Sequence, residues 1–214
     1  MVSVSEYRKY REISRGLNSK IMDLYIDEYR LEKAIDFLGI EKEEDHAIFE
    51  SEWELHILMD FAIHEIRKEG KTAVEVYQEE VNPDSEAEKR ALRAYLSSYT
   101  SLFKVKSIKR DESSLMLKDL LEGEENSELV DYSLSRSALP GHLLFTRLCP
   151  ISSFNITSGV EFVFPPKIEN SLISDFKELR EGIDSEYSSV KQFASFFKLY
   201  RERGIEVQYD DLEL

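Results

Sequence analysis

The stretch LFKVKSIKR, residues 102–110, decides the fold class, because its side chains alternate between apolar and basic. An alternation with a period of two is typical of a strand with one buried face. Before about residue 100, apolar residues instead recur every three or four positions, which is the spacing of helices. The chain therefore changes from helix to strand at this point.

Four further segments after residue 110 have the composition of short strands. They are SLMLKDLL (114–121), LVDYS (129–133), HLLFTRLCPI (142–151) and FNITSGVEFVFP (154–165). Glycine, asparagine and proline signals separate them, as expected for turns between strands. We predict about five strands that form a small antiparallel β-barrel or a strongly twisted sheet.

Helical periodicity predicts helices on both sides of the strands. Upstream, the segments cover about residues 5–25 with a break near Gly16, 27–38, 50–69, 71–81, and a fifth that Asp84 or Ser85 can cap. Downstream of Pro165 and Pro166, two helices break near Gly182. The predicted class is α+β, with a helical domain at 1–100, a small antiparallel β domain at 101–166, and C-terminal helices at 167–214 that pack on both.

Charge and composition oppose several classes of function. The chain has 43 acidic and 28 basic side chains, for a net charge of -15. Binding to phosphates requires clustered Lys and Arg, and anionic membranes attract basic surfaces, so we predict no direct nucleic-acid partner and no membrane partner. A basic protein partner fits this charge, and homo-oligomers stay open.

Features of the sequence also predict the compartment. The N-terminal segment has no apolar core of a secretory signal, and no run approaches the ~18 apolar residues of a membrane span. The single cysteine, Cys149, excludes an internal disulfide and a zinc site built from cysteines. We expect a cytoplasmic protein, and no motif predicts a cofactor.

A stripe of potential metal ligands lies on the third predicted helix. His56, Asp60 and His64 are four residues apart, which places them on one strip of that helix. Histidine and carboxylate suit zinc, iron or manganese. Nonetheless, the order differs from His-Glu-x-x-His, and no other segment offers an obvious fourth ligand. The alternative is a single polar stripe, paired internally or solvated, on a central and otherwise apolar helix.

Arg147 is the one candidate binding residue among the strands, because it interrupts an apolar run. On strand alternation it shares a face with Phe145. A buried Arg147 would need a carboxylate such as Asp119 or Asp131. We slightly favour the other interpretation, in which its stem covers the barrel and its head reaches water.

Two other groups near Arg147 could suggest nucleophilic catalysis. Ser133, Ser135 and Ser137 alternate, but the Gly-x-Ser-x-Gly elbow is missing. We interpret them as the polar face of a strand that enters a turn. Cys149, between a leucine and a proline, is interpreted as a small buried residue at a strand end.

The segment LKDLLEGEENSELVDYSLSRSALPGHLLFTRLCP, residues 117–150, carries a resemblance. It is similar to a segment of uncharacterised microbial proteins, some of which carry a SEC-C type zinc motif. The features that carry the similarity are Asp119 before Gly123, Ser133 to Ser137, and Gly141 before Leu143 to Arg147. The resemblance covers about residues 100–165. It implies a shared small β module and no particular reaction, and one cysteine cannot supply the zinc motif.

Three hypotheses about function follow from the sequence. The leading one is a non-catalytic acidic interaction or regulatory protein whose acidic surface meets a protein partner. The aromatic face of Phe193, Phe197 and Tyr200 is either core or a further part of that interface. The second is a metal-dependent hydrolase or oxidase that uses His56, Asp60 and His64. The third is an acidic mimic of nucleic acid, which requires carboxylates in regular rows on one face.

Overall fold

Five helices and a short hairpin form the N-terminal part of the protein. The computed structural model describes residues 4–44, 46–83, 85–123, 126–152 and 154–205. The elements are α1 (Val4–Tyr25), α2 (Glu28–Leu38), β1 (Glu41–Glu43), β2 (His46–Ile48), α3 (Trp53–His64), α4 (Ala73–Glu80) and α5 (Glu86–Leu96). Of the two predicted caps of α5, Ser85 is confirmed, since its side chain accepts a hydrogen bond from the Glu88 amide, and Asp84 lies outside the described residues.

The boundaries of two helices differ from the prediction. Helix α1 continues through Gly16, where a break was expected, because a single glycine weakens a helix by only about 1 kcal/mol. Helix α3 is shorter at both ends than the predicted 50–69, and its C-terminal cap is Glu65.

The five predicted strands form a closed barrel. They are β3 (Tyr99–Lys109), β4 (Ser114–Asp119), β5 (Asn126–Val130), β6 (Leu143–Ile151) and β7 (Phe154–Phe164), in the order β3-β4-β5-β7-β6. Neighbours are antiparallel except β5 and β7, which pair in parallel through Leu129 and Asn155. This connectivity, with the short helix α6 (Leu134–Ser137) between β5 and β6, is that of an OB-fold barrel.

Two C-terminal helices pack against the barrel. Helix α7 (Glu169–Glu181) ends at Gly182, and α8 (Ser188–Arg203) places its aromatic residues on β6 and β7. The ring centroids of Phe145 and Phe196 are 4.4 Å apart, and those of Phe162 and Tyr200 are 5.0 Å apart. The aromatic face of α8 is therefore part of the monomer core, which decides between the two alternatives and removes the interface one.

The hydrophobic core has three parts, and α3 contributes to two of them. One part fills the barrel around Phe103, Leu117 and Leu144. A second lies between α3, α8 and the outer surface of β6 and β7, and a third lies between α1, α4, α5 and the far end of β6. This arrangement confirms the α+β class, with helices before and after a small barrel. The division into three domains stays a prediction.

Within the described ranges, every helix is too short or too polar to cross a membrane.

Candidate functional site

Arg147 lies on the outer face of the barrel, at the boundary between two parts of the core. Its neighbours on this face are Phe145, which packs against α8, and Cys149, which packs against the α1 and α5 side. The register of β6 and β7 shifts between Thr146 and Leu148, so Arg147 lies at an irregularity of the strand pair. From there its side chain extends toward α3.

The guanidinium of Arg147 is buried and paired with two carboxylates. Its Nη2 donates to Glu65 Oε1 at 2.6 Å, and its Nε lies 3.5 Å from Asp60 Oδ2. Only 4% of Arg147 is exposed, so the interpretation as a surface arginine is wrong. A buried ion pair was the alternative, but its partners come from α3 and not from the barrel.

Both carboxylates proposed for Arg147 have other partners. Asp119 accepts hydrogen bonds from Ser101 Oγ at 2.6 Å and from the amides of Leu121 and Glu122. Asp131 accepts from the Tyr7 hydroxyl at 3.0 Å and from the Leu134 amide at 2.9 Å. These contacts organise the end of β4 and the start of α6.

Asp60, His64, Glu65 and Arg147 lie close together, and we call them the Arg147 cluster. Burial has the largest effect on the ionisation of two of them, Asp60 and His64. Burial raises the pKa of Asp60, and the charge of Arg147 and the hydroxyl of Ser158 only partly oppose it. Burial, together with Arg147, holds the pKa of His64 well below its usual value. His64 is therefore neutral at pH 7, and its Nε2 is 3.9 Å from Asp60 Oδ1.

A second buried polar network joins α1 to the barrel. Arg11 donates from Nη1 to the carbonyl of Thr157 at 2.9 Å, and Thr157 Oγ1 donates to Glu161 Oε1 at 2.7 Å. Asp131, Glu161 and Tyr7 all interact electrostatically with Arg11. Burial and Asp131 raise the pKa of Tyr7, so its hydroxyl stays protonated and donates to Asp131.

The two networks meet at a cavity of about 710 Å³, which we call the α1–α3 cavity. Residues of α1, α3, β7 and the start of α6 line it, among them Ser14, Trp53, Asp60 and Glu161. The lining includes exposed Leu55, so the cavity opens to solvent. Its volume is in the range of small-molecule sites, which is about 300–1,000 Å³.

Two polar atoms of the cavity wall have no hydrogen-bond partner in the described protein. They are Ser14 Oγ and Asn18 Oδ1 on α1, and both are buried atoms. Asp60 Oδ2 and Ser158 Oγ also lack a hydrogen bond of normal geometry, but Asp60 Oδ2 faces Arg147 Nε at 3.5 Å and the Ser158 hydroxyl interacts with Asp60. Ser14 is 3% exposed and Asp60 is 7% exposed. Because buried polar groups in proteins are nearly always hydrogen-bonded, two such atoms on the wall of one cavity make it a candidate binding site.

The remaining atoms of this kind near α3 also face Asp60. His64 Nε2 and Arg147 Nε lack hydrogen bonds within the described ranges, and both are directed at the Asp60 carboxylate. His64, Glu65 and Arg147 in turn line a smaller cavity of about 340 Å³. The Arg147 cluster thus forms a wall between two cavities, with Asp60 on the side of the larger one.

The structure does not bring His56 together with the other two proposed metal ligands, Asp60 and His64. His56 is exposed and packs on Trp53, with ring centroids 5.5 Å apart, whereas Asp60 and His64 are buried. Across the described part of the chain, no three His, Cys, Asp or Glu side chains are grouped so that they could hold a metal ion. Metal binding by His56, Asp60 and His64 stays a prediction.

The candidate nucleophiles have structural roles. Ser133 to Ser137 form the short helix α6 and not a strand, because Asp131 caps its first turn. Ser135 and Ser137 donate to the carbonyls of Tyr132 and Ser133. Cys149 is completely buried, and burial raises its pKa to about 12.

Sequence reasoning missed the contribution of α1 to the site. Tyr7, Arg11, Ser14 and Asn18 follow steps of four, three and four residues, so they lie on one face of α1 and all line the cavity. This polar stripe was a usable signal. Glu65 was missed for another reason: it is the residue after α3, so the spacing of the helix does not place it with Asp60.

Comparisons with known proteins identify the family and nothing more specific. No curated protein and no solved structure matches the chain. Residues 1–210 match the model of a family described as a family of unknown function, DUF7986. The match covers nearly the whole chain, all described parts of the α1–α3 cavity included. The protein therefore belongs to the DUF7986 family.

Proposed function

We propose that this protein is a non-catalytic binding module and that its ligand is a small polar molecule held in the α1–α3 cavity. The observation that carries the proposal is the α1–α3 cavity, whose wall holds two buried atoms without a hydrogen-bond partner in the described residues, Ser14 Oγ and Asn18 Oδ1. A buried polar atom without a partner costs about 1–3 kcal/mol, so a polar ligand that reaches these atoms is stabilised by their hydrogen bonds.

The state of the reactive groups supports binding over catalysis. A nucleophile needs an accessible side chain with a base in hydrogen-bond reach. Cys149 is buried with a protonated thiol, and Ser135 and Ser137 donate to backbone carbonyls. Asp60, a carboxylate of the cavity wall, is held 3.5 Å from the guanidinium of Arg147.

The only tryptophan of the chain gives this proposal a direct test, since Trp53 lines the cavity. Mixed sets of amines, amino acids, nucleosides and small carboxylates would be added to the protein, and both tryptophan emission and melting temperature recorded. We expect at least one compound to change the emission and raise the melting temperature.

Two variants locate the binding. Ser14→Leu fills the cavity with apolar atoms, and Ser171→Leu makes the same change on the exposed surface of α7. Binding should persist in Ser171→Leu and be lost in Ser14→Leu. If no compound acts on the wild type, or if Ser14→Leu binds as the wild type does, the proposal fails.

The surface charge supports a second proposal, a basic protein partner in the cytoplasm. Exposed acids are frequent on α2 and the β1–β2 hairpin, among them Glu28, Glu32, Asp36, Glu41 and Glu43. An oligolysine peptide should bind the protein in a salt-dependent manner, and Glu28→Gln with Glu32→Gln should weaken that binding more than Glu178→Gln with Glu181→Gln on α7. Equal loss in both double variants would indicate general attraction only. Nucleic-acid mimicry stays a prediction.

A further inference from the structure

Each buried acid in the wall of the α1–α3 cavity already has a partner within the protein. Asp60 faces the Arg147 guanidinium at 3.5 Å, and burial raises the pKa of this carboxyl. Asp131 and Glu161 interact electrostatically with Arg11, which lines the same cavity. A cationic ligand would therefore compete with an arginine for its acid, and an anionic ligand would compete with an acid for its arginine.

The other titratable side chains of the wall lie in water or stay neutral. Arg15 and His56 line the cavity but are exposed, so water and salt screen their charge. The Tyr7 hydroxyl donates to Asp131 and carries no charge. An ion that leaves water without a close opposite charge costs far more free energy than a neutral polar group. The wall therefore favours a ligand without net charge.

Two atoms on α1 determine which polar group the ligand must offer. Ser14 Oγ and Asn18 Oδ1 are buried, and neither has a hydrogen-bond partner in the described residues. The two residues are four positions apart in the helix, so they lie on one face of α1 with their Cβ atoms about 5–6 Å apart. One small group can therefore reach both atoms.

The hydrogen-bonding capacity of these two atoms differs. The amide oxygen of Asn18 only accepts, whereas the Ser14 hydroxyl donates or accepts. A carboxylate has no donor for Asn18, and an ammonium group carries a charge for which the wall offers no unpaired acid. A carboxamide or a hydroxyl group donates to Asn18 and accepts from Ser14 without a net charge.

Apolar side chains form much of the remaining wall. Trp53, Met59 and Ile63 of α3 and Val160 of β7 line the cavity, and Trp53 presents a flat aromatic surface. Met side chains adapt their shape to their partners and make favourable contacts with aromatic rings. The wall therefore suits a ligand that combines one polar group with a flat apolar body.

We infer that the ligand is an uncharged molecule that presents a carboxamide or hydroxyl group to Ser14 and Asn18 and packs a flat apolar body on Trp53 and Met59. The inference rests on the proposed binding function and adds the chemical class of the ligand. The polar group forms hydrogen bonds with the two side chains of α1, and the apolar body covers the side chains of α3.

Four compounds of nearly one shape test this class without any variant. Benzamide, benzoate, benzamidine and acetophenone would be titrated into the wild-type protein at pH 7, with Trp53 emission and calorimetry as readouts. Benzoate is an anion, benzamidine is a cation, and acetophenone is neutral but has no hydrogen-bond donor. We expect benzamide to bind at least about tenfold more tightly than each of the other three.

A variant then assigns the preference to α1. Asn18→Asp keeps the shape of the side chain and adds a negative charge, so the affinity of benzamidine relative to benzamide should rise at least about tenfold. Asn170→Asp makes the same change on the exposed surface of α7 and should leave this ratio unchanged. If Asn18→Asp does not fold, Asn18→Ala replaces it, and benzamide should lose its advantage over acetophenone.

The outcomes separate this inference from the proposed function. Binding of benzoate, benzamidine or acetophenone as tight as that of benzamide overturns the inference and leaves the cavity as a ligand site. An Asn18→Asp variant that keeps the wild-type preference overturns it as well. Absence of binding by all four compounds also overturns the inference, and the broader compound set with Ser14→Leu then decides whether the cavity binds anything.

Discussion

The Nη2 atom of Arg147 on β6 lies 2.6 Å from Oε1 of Glu65, the residue that caps α3. The two residues are 82 positions apart in sequence, and each is at most 4% exposed. This ion pair ties the central helix to the barrel at the boundary between two parts of the core. Several consequences can be measured.

Replacing the arginine should destabilise the protein strongly. Arg147→Met leaves Glu65 and Asp60 buried without a cation, and removal of one partner from a buried pair typically costs about 3–5 kcal/mol. The free energy of unfolding in urea measures the loss. Arg8→Met, on the exposed face of α1, should change it by less than about 0.5 kcal/mol. Adding Glu65→Gln to Arg147→Met should recover part of the loss; no recovery would contradict the pairing.

His64 should make the protein less stable in mild acid. Because its pKa in the folded state is well below the usual value near 6.5, the unfolded chain takes up a proton that the folded protein refuses. Stability should therefore fall as the pH drops below about 6.5, by at most about 1.4 kcal/mol per pH unit from this residue. Urea unfolding of wild type and His64→Gln between pH 7 and pH 5 checks this. An identical pH dependence in both proteins would refute a neutral buried His64.

The thiol of Cys149 should be unreactive in the native protein. It is completely buried, and burial raises its pKa to about 12, so almost no thiolate exists at pH 8. Mass spectrometry after treatment with iodoacetamide should find unmodified protein under native conditions and one adduct in guanidinium chloride. Rapid native labelling would show that Cys149 is accessible.

The aromatic residues of α8 should determine stability and leave the oligomeric state unchanged. Phe196 has no exposed surface and packs against Phe145 and Phe176, with centroids 4.4 Å and 4.6 Å apart. Phe196→Ala should cost about 3–5 kcal/mol, which urea unfolding measures. Sedimentation should give the same mass for the variant and the wild type under native conditions. A loss of mass in the variant would mean that this face also joins subunits.

The alternation in LFKVKSIKR was enough to place the barrel, because a local period reports which face of a strand is buried. It could not reveal that β5 and β7 close the barrel in parallel, since the partner of a strand is a long-range property. The serines before Pro140 show the same limit. Their alternation indicated a strand, but the carboxylate of Asp131 caps the Leu134 amide and makes a helix.

The candidate site was predicted only in part. Helical spacing correctly grouped Asp60 with His64, and Arg147 was recognised as unusual because it interrupts an apolar run. The spacing also grouped His56 with them, although that residue is exposed on Trp53. Glu65 lies just beyond α3 and pairs with Arg147, which is on a distant strand. Local periodicity therefore could not predict this ion pair.

The most direct test of the central claim is a crystal structure of the protein with a compound that raises its melting temperature. The compound should lie in the α1–α3 cavity, against Trp53 and beside Ser14 and Asn18. A compound bound only outside the α1–α3 cavity would contradict the account.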